Sequence, residues 1–522
     1  MPKLLHEFII NSAKQYPQHV ALRHKNDNLD YESLTKEIST IGHGLLNSGI
    51  SAGDRIGVYL PKRFETVISF FAASYAGVVF VPINPLLKPA QVGYILNDCN
   101  IRMLITSNDR LKQLKDVLEN CKDLSFVIDA NDKADKDEPT HYKIEYWQDL
   151  KTPKSTSAHP RKDTDIAAIL YTSGSTGKPK GVVLSHKNMI IGAQSVAQYL
   201  KNTANDNLLA VLPFSFDYGL SQLTTAFSVG ASVTLMDYLL PRDVINAINK
   251  YNITGLAGVP SLWNQLADLK WENASTLRYI SNSGGAMPAS TLSKLQTLLP
   301  STDIYLMYGL TEAFRSTYLN PLKINKKPGS IGKAIPNAEI MVIREDGGAC
   351  NPNEPGQLVH CGPLVALGYW NAPEKTAETF KPAPFQQENS TQTEIAVWSG
   401  DKVKQDEDGY LYFISRDDDM IKTSGYRVSP TEIEEVIYAS GLVTEAVALG
   451  IPHPIIGQAI TIIATHSHGE NKEKLFEVCK KQLPNFMQPA HIEFITSMPK
   501  NPNGKIDRTY LTLQFNDLFT NG

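Results

Sequence analysis

From about residue 30 to 165 the apolar positions change period repeatedly. Tyr31–Ser48 repeats at the spacing of one helix face, and Arg55–Leu60 is a compact apolar run of strand type. Phe64–Ala76 returns to a helix, Val78–Val81 to a strand, Pro89–Asn97 to a helix and Met103–Thr106 to a strand. This alternation predicts largely parallel strands joined by helices that cover both faces of a sheet. Ile166–Leu170 and Val182–Leu184 are two further apolar runs with a loop between them. Asn207–Val211, Ser232–Met236, Ile253–Gly258 and Leu277–Ser281 read as short buried strands. Glycine and proline crowd residues 345–373, which predicts short antiparallel strands and turns, and Gly409–Ile414 reads as a last strand. The pattern changes across Ser415–Asp419, where we place a domain boundary. Beyond it a helix over Thr431–Ala439 and strands over Val443–Ile451 and Ala459–His466 make a small α+β unit.

Composition narrows the class. The chain has 522 residues, 42% hydrophobic and 20% charged, as in an ordinary globular protein. A net charge of −4 argues against a nucleic-acid partner, because such surfaces are usually basic. The lysines of Lys112–Lys122 and Lys133–Lys136 alternate with acids and read as a solvated helix face and loop. Five scattered cysteines and the absence of a C-x-x-C spacing indicate neither a disulfide frame nor a zinc site. The N-terminus is amphipathic, with Leu4, Leu5, Phe8 and Ile9 on one side, and lacks a signal peptide's apolar core. Val67–Val81 is too short to span a bilayer, so we expect no membrane span and a cytoplasmic protein.

The stretch that organises the chemistry is Leu170–His186, LYTSGSTGKPKGVVLSH. Gly174, Gly177 and Gly181 allow backbone N–H groups to approach an anion closely. Thr172, Ser173, Ser175 and Thr176 add hydroxyl donors, and Lys178 and Lys180 add positive charge. That is the chemistry of a polyphosphate cradle. It is not a P-loop, since Pro179 stands where G-x-x-x-x-G needs its second glycine, and G-x-G-x-x-G is absent. A second block, MYGLTEAF (Met307–Phe314), offers the Tyr308 ring for a purine and the Glu312 carboxylate for a phosphate-bound Mg²⁺. In WSGDKV, Asp401 has the chemistry to accept ribose hydroxyls.

The ordered string Leu170–His186 closely resembles the phosphate-binding motif of the adenylate-forming (AMP-binding) superfamily: acyl-CoA synthetases, amino-acid adenylation enzymes and luciferases. The other blocks are similar to further motifs of that superfamily. SNSGGAMP (281–288) resembles the segment whose backbone lines the adenine and acyl pocket, which implicates Gly284, Gly285 and Ala286. YGxTE implicates Tyr308, Gly309, Thr311 and Glu312, and YLYFISRDDDMIKTSGYR places a ribose-binding arginine at Arg416. PKNPNGKIDR carries the family's catalytic lysine at Lys505, where a fixed ammonium stabilises an in-line transfer at the α-phosphate. With Lys505, the resemblance assigns catalytic roles to Glu312 and Thr172. The similarity continues through GQLVHCGPLVALGYWN (356–371) and so covers nearly the whole chain.

The resemblance implies an α/β protein with a large N-terminal domain (1–415) of mostly parallel sheets flanked by helices, including a short β-barrel-like subdomain. It implies a hinge at 416–418, centred on Asp418, and a small mobile α+β lid (419–522). The lid would withdraw Lys505 after adenylation and bring in the Lys422–Gly425 loop for thiol attack. ATP, Mg²⁺ and the phosphopantetheine of CoA or of a separate carrier protein are implied as cofactors and partners. The implied activity is that of an AMP-forming acid–thiol ligase. A luciferase-like oxygenase, an inactive nucleotide-binding regulator and a serine hydrolase are weaker readings, the last because G-x-S-x-G is absent.

The acid is less legible. In LPFSFDYGL many acyl-CoA synthetases have histidine where Phe216 stands, and the FD pair resembles amino-acid adenylation enzymes, whose aspartate, here Asp217, binds the substrate ammonium. A buried carboxylate lacking its cation costs ~3–5 kcal/mol, which favours an amino-bearing acid over a plain fatty or aryl acid. Alternatively, Arg315 pairs with Asp217 and leaves the pocket neutral, or it receives a second substrate carboxylate. Tyr218, Ser221, Gly284 and Met307 complete the expected acid pocket. The end of the chain shortly after Lys505 leaves the thiol to be supplied in trans. YGLTEAFRSTYL is also similar to acyl-CoA ligases associated with the exosortase A system.

Overall fold

The computed structural model describes residues 2–134, 140–151, 159–172, 179–272, 274–385, 393–416, 420–423, 426–454, 456–466 and 472–519. Ser173, Gly174, Ser175, Thr176, Gly177, Lys178, Asp418 and Gly425, and the side chains of Arg416 and Lys422, lie outside the described residues.

Among the described residues three sheets organise the chain: one of fourteen strands, one of eight and one of five. In the first, Asn207–Ala210, Gly255–Gly258, Tyr279–Asn282 and Asp303–Tyr308 run side by side and parallel. These strands are buried along almost their whole length, as expected where helices cover both faces. From Asp303–Tyr308 the sheet continues through antiparallel Thr317–Leu319, Ser330–Ala334 and Leu411–Arg416 to Ile395–Gln405 and Gly356–Cys361. The turn-rich strands expected between 345 and 373 are therefore an extension of the parallel sheet. In the second sheet, Arg55–Val58 lies between parallel Val79–Pro82 and Ile101–Thr106. Its Ile166–Thr172 strand turns back as Lys180–Ser185, with Thr172 opposite Lys180.

Local chemistry explains where the elements stop. Asp30 caps Tyr31–Asn47 by accepting from the Ser33 amide, and Ser185 and Asn188 form a capping box ahead of His186–Leu200. The helices Phe64–Ala76 and Asp217–Val229 each end at a left-handed glycine, Gly77 and Gly230. Among the described residues no helix is long and apolar enough to cross a membrane.

The five-stranded sheet holds Ile421–Thr423, Tyr426–Val428, Val443–His453, Gly457–His466 and His491–Phe494. Its core, built on Ile433, Ile437, Ile460, Ile462 and Ile492, is separate from the main core. Leu411–Arg416 still pairs with the large sheet, and Ile421–Thr423 already belongs to the small one.

Candidate functional site

Neighbouring parallel strands deliver their following loops to the same edge of a sheet, and in α/β folds that edge is where ligands bind. Here four such loops meet: 211–217, 259–261, 283–286 and 309–315, each following one of the four parallel strands. They carry Asp217, Ser261, Gly284 and the Gly309–Arg315 block, so residues distant in sequence converge.

Lys505 reaches this edge from the small domain. Its turn is closed by Asn501, whose side-chain oxygen accepts from the amides of Asn503 at 3.0 Å and Lys505 at 3.1 Å. The turn is docked at two points: Asn84 Nδ2 donates to the Pro502 carbonyl at 2.7 Å, and Ser261 Oγ donates to the Gly504 carbonyl at 2.7 Å. The ammonium stands 5.0 Å from the centre of the Phe216 ring. Gly284, at φ +82°, lies directly beneath it, and a Cβ there would come within 2.8 Å of Lys505 Cε. The left-handed backbone conformation at this position favours glycine, since other residues rarely adopt it.

Tyr308 and Asp401 are in contact, the phenol donating to the buried carboxylate. Asp401 and Arg416 are register partners on adjacent strands, so the two residues expected at the ribose stand side by side in the backbone. Glu312 is half-buried and its Oε1 accepts the Tyr369 phenol at 2.6 Å. The same ring lies 5.2 Å from the Lys180 ammonium. Among the described residues no group of three or more metal-ligating side chains exists. A Mg²⁺ held mainly by phosphate oxygens needs only one or two carboxylates, which Glu312 can supply. Gly285 and Ala286 are exposed at the same edge, and the Asn282 side chain donates to the Gly285 carbonyl at 2.9 Å.

The acid pocket contains a buried ion pair. Arg315 Nη1 lies 3.8 Å from Asp217 Oδ2, with side chains 2% and 5% exposed. Arg315 also donates from Nη2 to Ser221 Oγ at 3.2 Å, and its guanidinium covers the Tyr218 ring at 4.6 Å. Thr311 Oγ1 donates to Asp217 Oδ1 at 3.4 Å, and the Tyr218 hydroxyl is 2.7 Å from Ser281 Oγ. Burial pushes the Tyr218 phenol well above its ordinary range, so it stays a neutral donor. Met307 accepts the Tyr199 phenol at its sulfur, 3.0 Å away. Asp217 thus has a cation 3.8 Å away, at the long end for an ion pair, which weakens the charge argument for a substrate ammonium and fits the pairing alternative. Arg315 Nε is buried and has no hydrogen-bond partner among the described residues.

Arg315 is aimed into the pocket by backbone strain. Phe314 has φ +57° and ψ −51°, and the Arg315 amide donates to the Ala313 carbonyl at 2.6 Å. That is the rare, strained hand of γ-turn. The fully buried Phe314 ring lies against Gly192 of the His186–Leu200 helix, where a Cβ would stand 2.3 Å from the ring. Sequence reasoning missed Phe314, Tyr369, Asn84 and Ser261. Phe314 and Tyr369 lay within strings already singled out, and nothing in those strings says that Phe314 takes a γ-turn or that the Tyr369 phenol meets Glu312.

A family model described as AMP-binding enzyme matches residues 10–370, and one described as AMP-binding enzyme C-terminal domain matches residues 432–505. The chain is similar to an L-proline–[L-prolyl-carrier protein] ligase of Pseudomonas fluorescens, 30% identical over 98% of this chain and 99% of that one. It is also similar to a long-chain-fatty-acid–CoA ligase of Bacillus subtilis, 27% identical over 98% of this chain and 94% of the relative. Among solved structures, the anthranilate CoA ligase AuaEII in complex with anthranoyl-AMP superposes with a TM-score of 0.87, at 25% identity over 98% of each chain.

Proposed function

Because the chain belongs to the AMP-binding enzyme family and is an AMP-forming acid–thiol ligase, we propose how its residues divide the two half-reactions and which acid it takes. The observation that carries the proposal is the docked Lys505 turn, held by Asn84 and Ser261 above Gly284, at the edge that also carries the Asp217–Arg315 pair. In this reading Thr172, the Ser173–Lys178 segment and Lys180 bind the phosphates of ATP. Tyr308 presents its ring to the purine, and Asp401 with Arg416 takes the ribose. Glu312 would hold Mg²⁺, which offsets phosphate charge when bound.

A carboxylate oxygen of the acid attacks the α-phosphorus, the new acyl–phosphate bond forms, and the bond to pyrophosphate breaks. Lys505 stabilises the charge that moves between carboxylate and phosphate in that transition state. A pantetheine thiolate then attacks the acyl carbon and AMP departs. CoA and a separate carrier protein both supply that thiol chemistry. Rotation about Asp418, bringing the Lys422–Gly425 loop to the site, separates the two steps.

For the acid, the buried and unpartnered Arg315 Nε supports a carboxylic acid bearing a second acceptor, such as a hydroxyl, carbonyl or carboxylate. An amino-bearing acid is the second reading, favoured by the long 3.8 Å separation that leaves Asp217 only loosely paired. Acid-dependent ATP–pyrophosphate exchange across matched hydroxy, dicarboxylic, amino and fatty acids decides between them. We expect the acceptor-bearing acids to exceed fatty acids of equal length. Arg315→Lys, which keeps the charge opposite Asp217 but loses the planar fork, should lower their kcat/KM about tenfold. Best exchange with octanoate in the parent enzyme would overturn both readings, and best exchange with amino acids, abolished by Asp217→Asn, would establish the second.

A further inference from the structure

One helix, Pro89–Asp98, reaches both ends of the 173–178 segment. The Tyr94 phenol donates to the Pro179 carbonyl at 3.2 Å. One turn later the Asp98 carboxylate accepts the Tyr171 phenol at 2.5 Å. A spacing of four places both side chains on one face of the helix. Tyr171 stands beside the end of the outgoing strand and Pro179 just ahead of the returning one, where Tyr171 pairs with Gly181 and Thr172 with Lys180. The helix is itself well fixed. Val92, Ile95 and Leu96 are buried, and Gly93 packs against Val117.

Asp98 makes a second set of contacts through its main-chain carbonyl. It accepts from Trp370 Nε1 at 3.0 Å and from Asn371 Nδ2 at 2.8 Å. The Trp370 amide donates to the Gly181 carbonyl at 2.7 Å, and the preceding residue, Tyr369, is the one that donates to Glu312. One residue thus ties the root of the phosphate segment to the chain that orients the Glu312 carboxylate. Burial, with Cys99 and Asp98 close by, pushes the Tyr171 phenol far above its ordinary range, so it remains a donor at any working pH.

We propose that Tyr94 and Asp98 are positioning residues for the adenylation step, holding the two roots of the phosphate-binding segment and, through Trp370 and Tyr369, the Glu312 carboxylate in one frame. They touch no substrate. Their effect is on where Tyr171 and Pro179, the residues flanking that segment, are held while ATP binds. The inference rests on reading 173–178 as the phosphate cradle.

The test compares Tyr94→Phe, Tyr171→Phe and Asp98→Asn with a control, Tyr146→Phe, which deletes a phenol that donates to the Ala134 carbonyl at 3.0 Å, away from the phosphate segment. Each phenol deletion at the roots should raise KM for ATP about fivefold. KM for the acid and the rate of thioester formation from supplied acyl-adenylate should stay unchanged, with melting temperatures no lower than the control's. Asp98→Asn keeps an acceptor oxygen and should fall between parent and phenol variants. Unchanged KM for ATP, or a loss confined to stability, overturns the proposal and leaves these contacts purely structural. Thr172→Ala and Lys180→Ala separate the two layers of argument. If they raise KM for ATP while the tyrosine variants do not, the clamp fails and the cradle stands. If none of the five moves it, the cradle reading fails as well.

Discussion

At the scale of single residues the site combines groups legible in a string with groups that are not. Lys505 was legible because its whole turn is contiguous: Pro499, Asn501, Asn503 and Gly504 surround it, and Asn501 closes that turn through side-chain bonds. Lys505→Ala should lower the rate of acyl-adenylate formation by about 10²–10³, the usual loss for one transition-state donor. Thioester formation from supplied acyl-adenylate should be nearly unaffected, and stopped assays of the two half-reactions measure the split. Equal losses in both would contradict the role given to the lysine. The approach of Arg315 to Asp217 was legible only as one alternative, and the backbone that aims Arg315 was not legible. Its direction depends on the γ-turn at Phe314, and that turn depends on a glycine more than a hundred residues earlier in the chain. No local propensity signals a strained residue whose room is made by a distant helix.

Elements were read well where period and caps agreed. Phe64–Ala76 and Pro89–Asp98 fall within a residue of their expected bounds, since an apolar face and a terminal glycine or N1 proline mark both. The amphipathic start of the chain becomes the helix Glu7–Gln15, and its docking uses histidine. The Leu5 amide donates to His186 Nδ1 at 3.3 Å, and His6 Nδ1 lies 3.0 Å from Ser74 Oγ. Burial holds His6 down at about 4, opposed by the Glu7 carboxylate and the contact with Ser74. Burial likewise holds His186 at about 3, helped by His6 and Arg161 and opposed by Asp165. Both are neutral in the fold and titrate near the ordinary value of 6.5 when unfolded. Below pH 6.5 the unfolded chain therefore binds protons that the folded chain refuses, and stability falls as pH drops towards about 4. At pH 5 one such histidine costs roughly 2 kcal/mol. Melting curves from pH 7 to 5 should show this decline, with a shallower slope in His6→Gln. An identical slope would mean that His6 does not stay neutral in the fold.

At the scale of the whole molecule, in the proposed cycle the relation between the two domains sets which half-reaction is served. The small domain meets the large one through Asn84 and Ser261 at the Lys505 turn. Losing both contacts in Asn84→Ala/Ser261→Ala should slow pyrophosphate exchange about thirtyfold, since two hydrogen bonds of roughly 1 kcal/mol each are lost. Thioester formation from supplied acyl-adenylate should hold, because in the proposed cycle that step takes place with the turn withdrawn. An equal loss in both half-reactions would show that the docking is not specific to adenylation. What the amino-acid sequence determined by itself is the reaction class, together with the short strings to which we assign the nucleotide. In that assignment phosphate, ribose and the transferring α-phosphate each fall to a short contiguous string, whose chemistry is written in consecutive residues. Tertiary structure alone decided the approach of Arg315 to Asp217, the hydrogen bond from Tyr369 to Glu312 and the grip of one helix on Tyr171 and Pro179. Each of these depends on side chains that approach only after parallel strands align their ends, and alignment is a property of the folded core, not of any window along the chain.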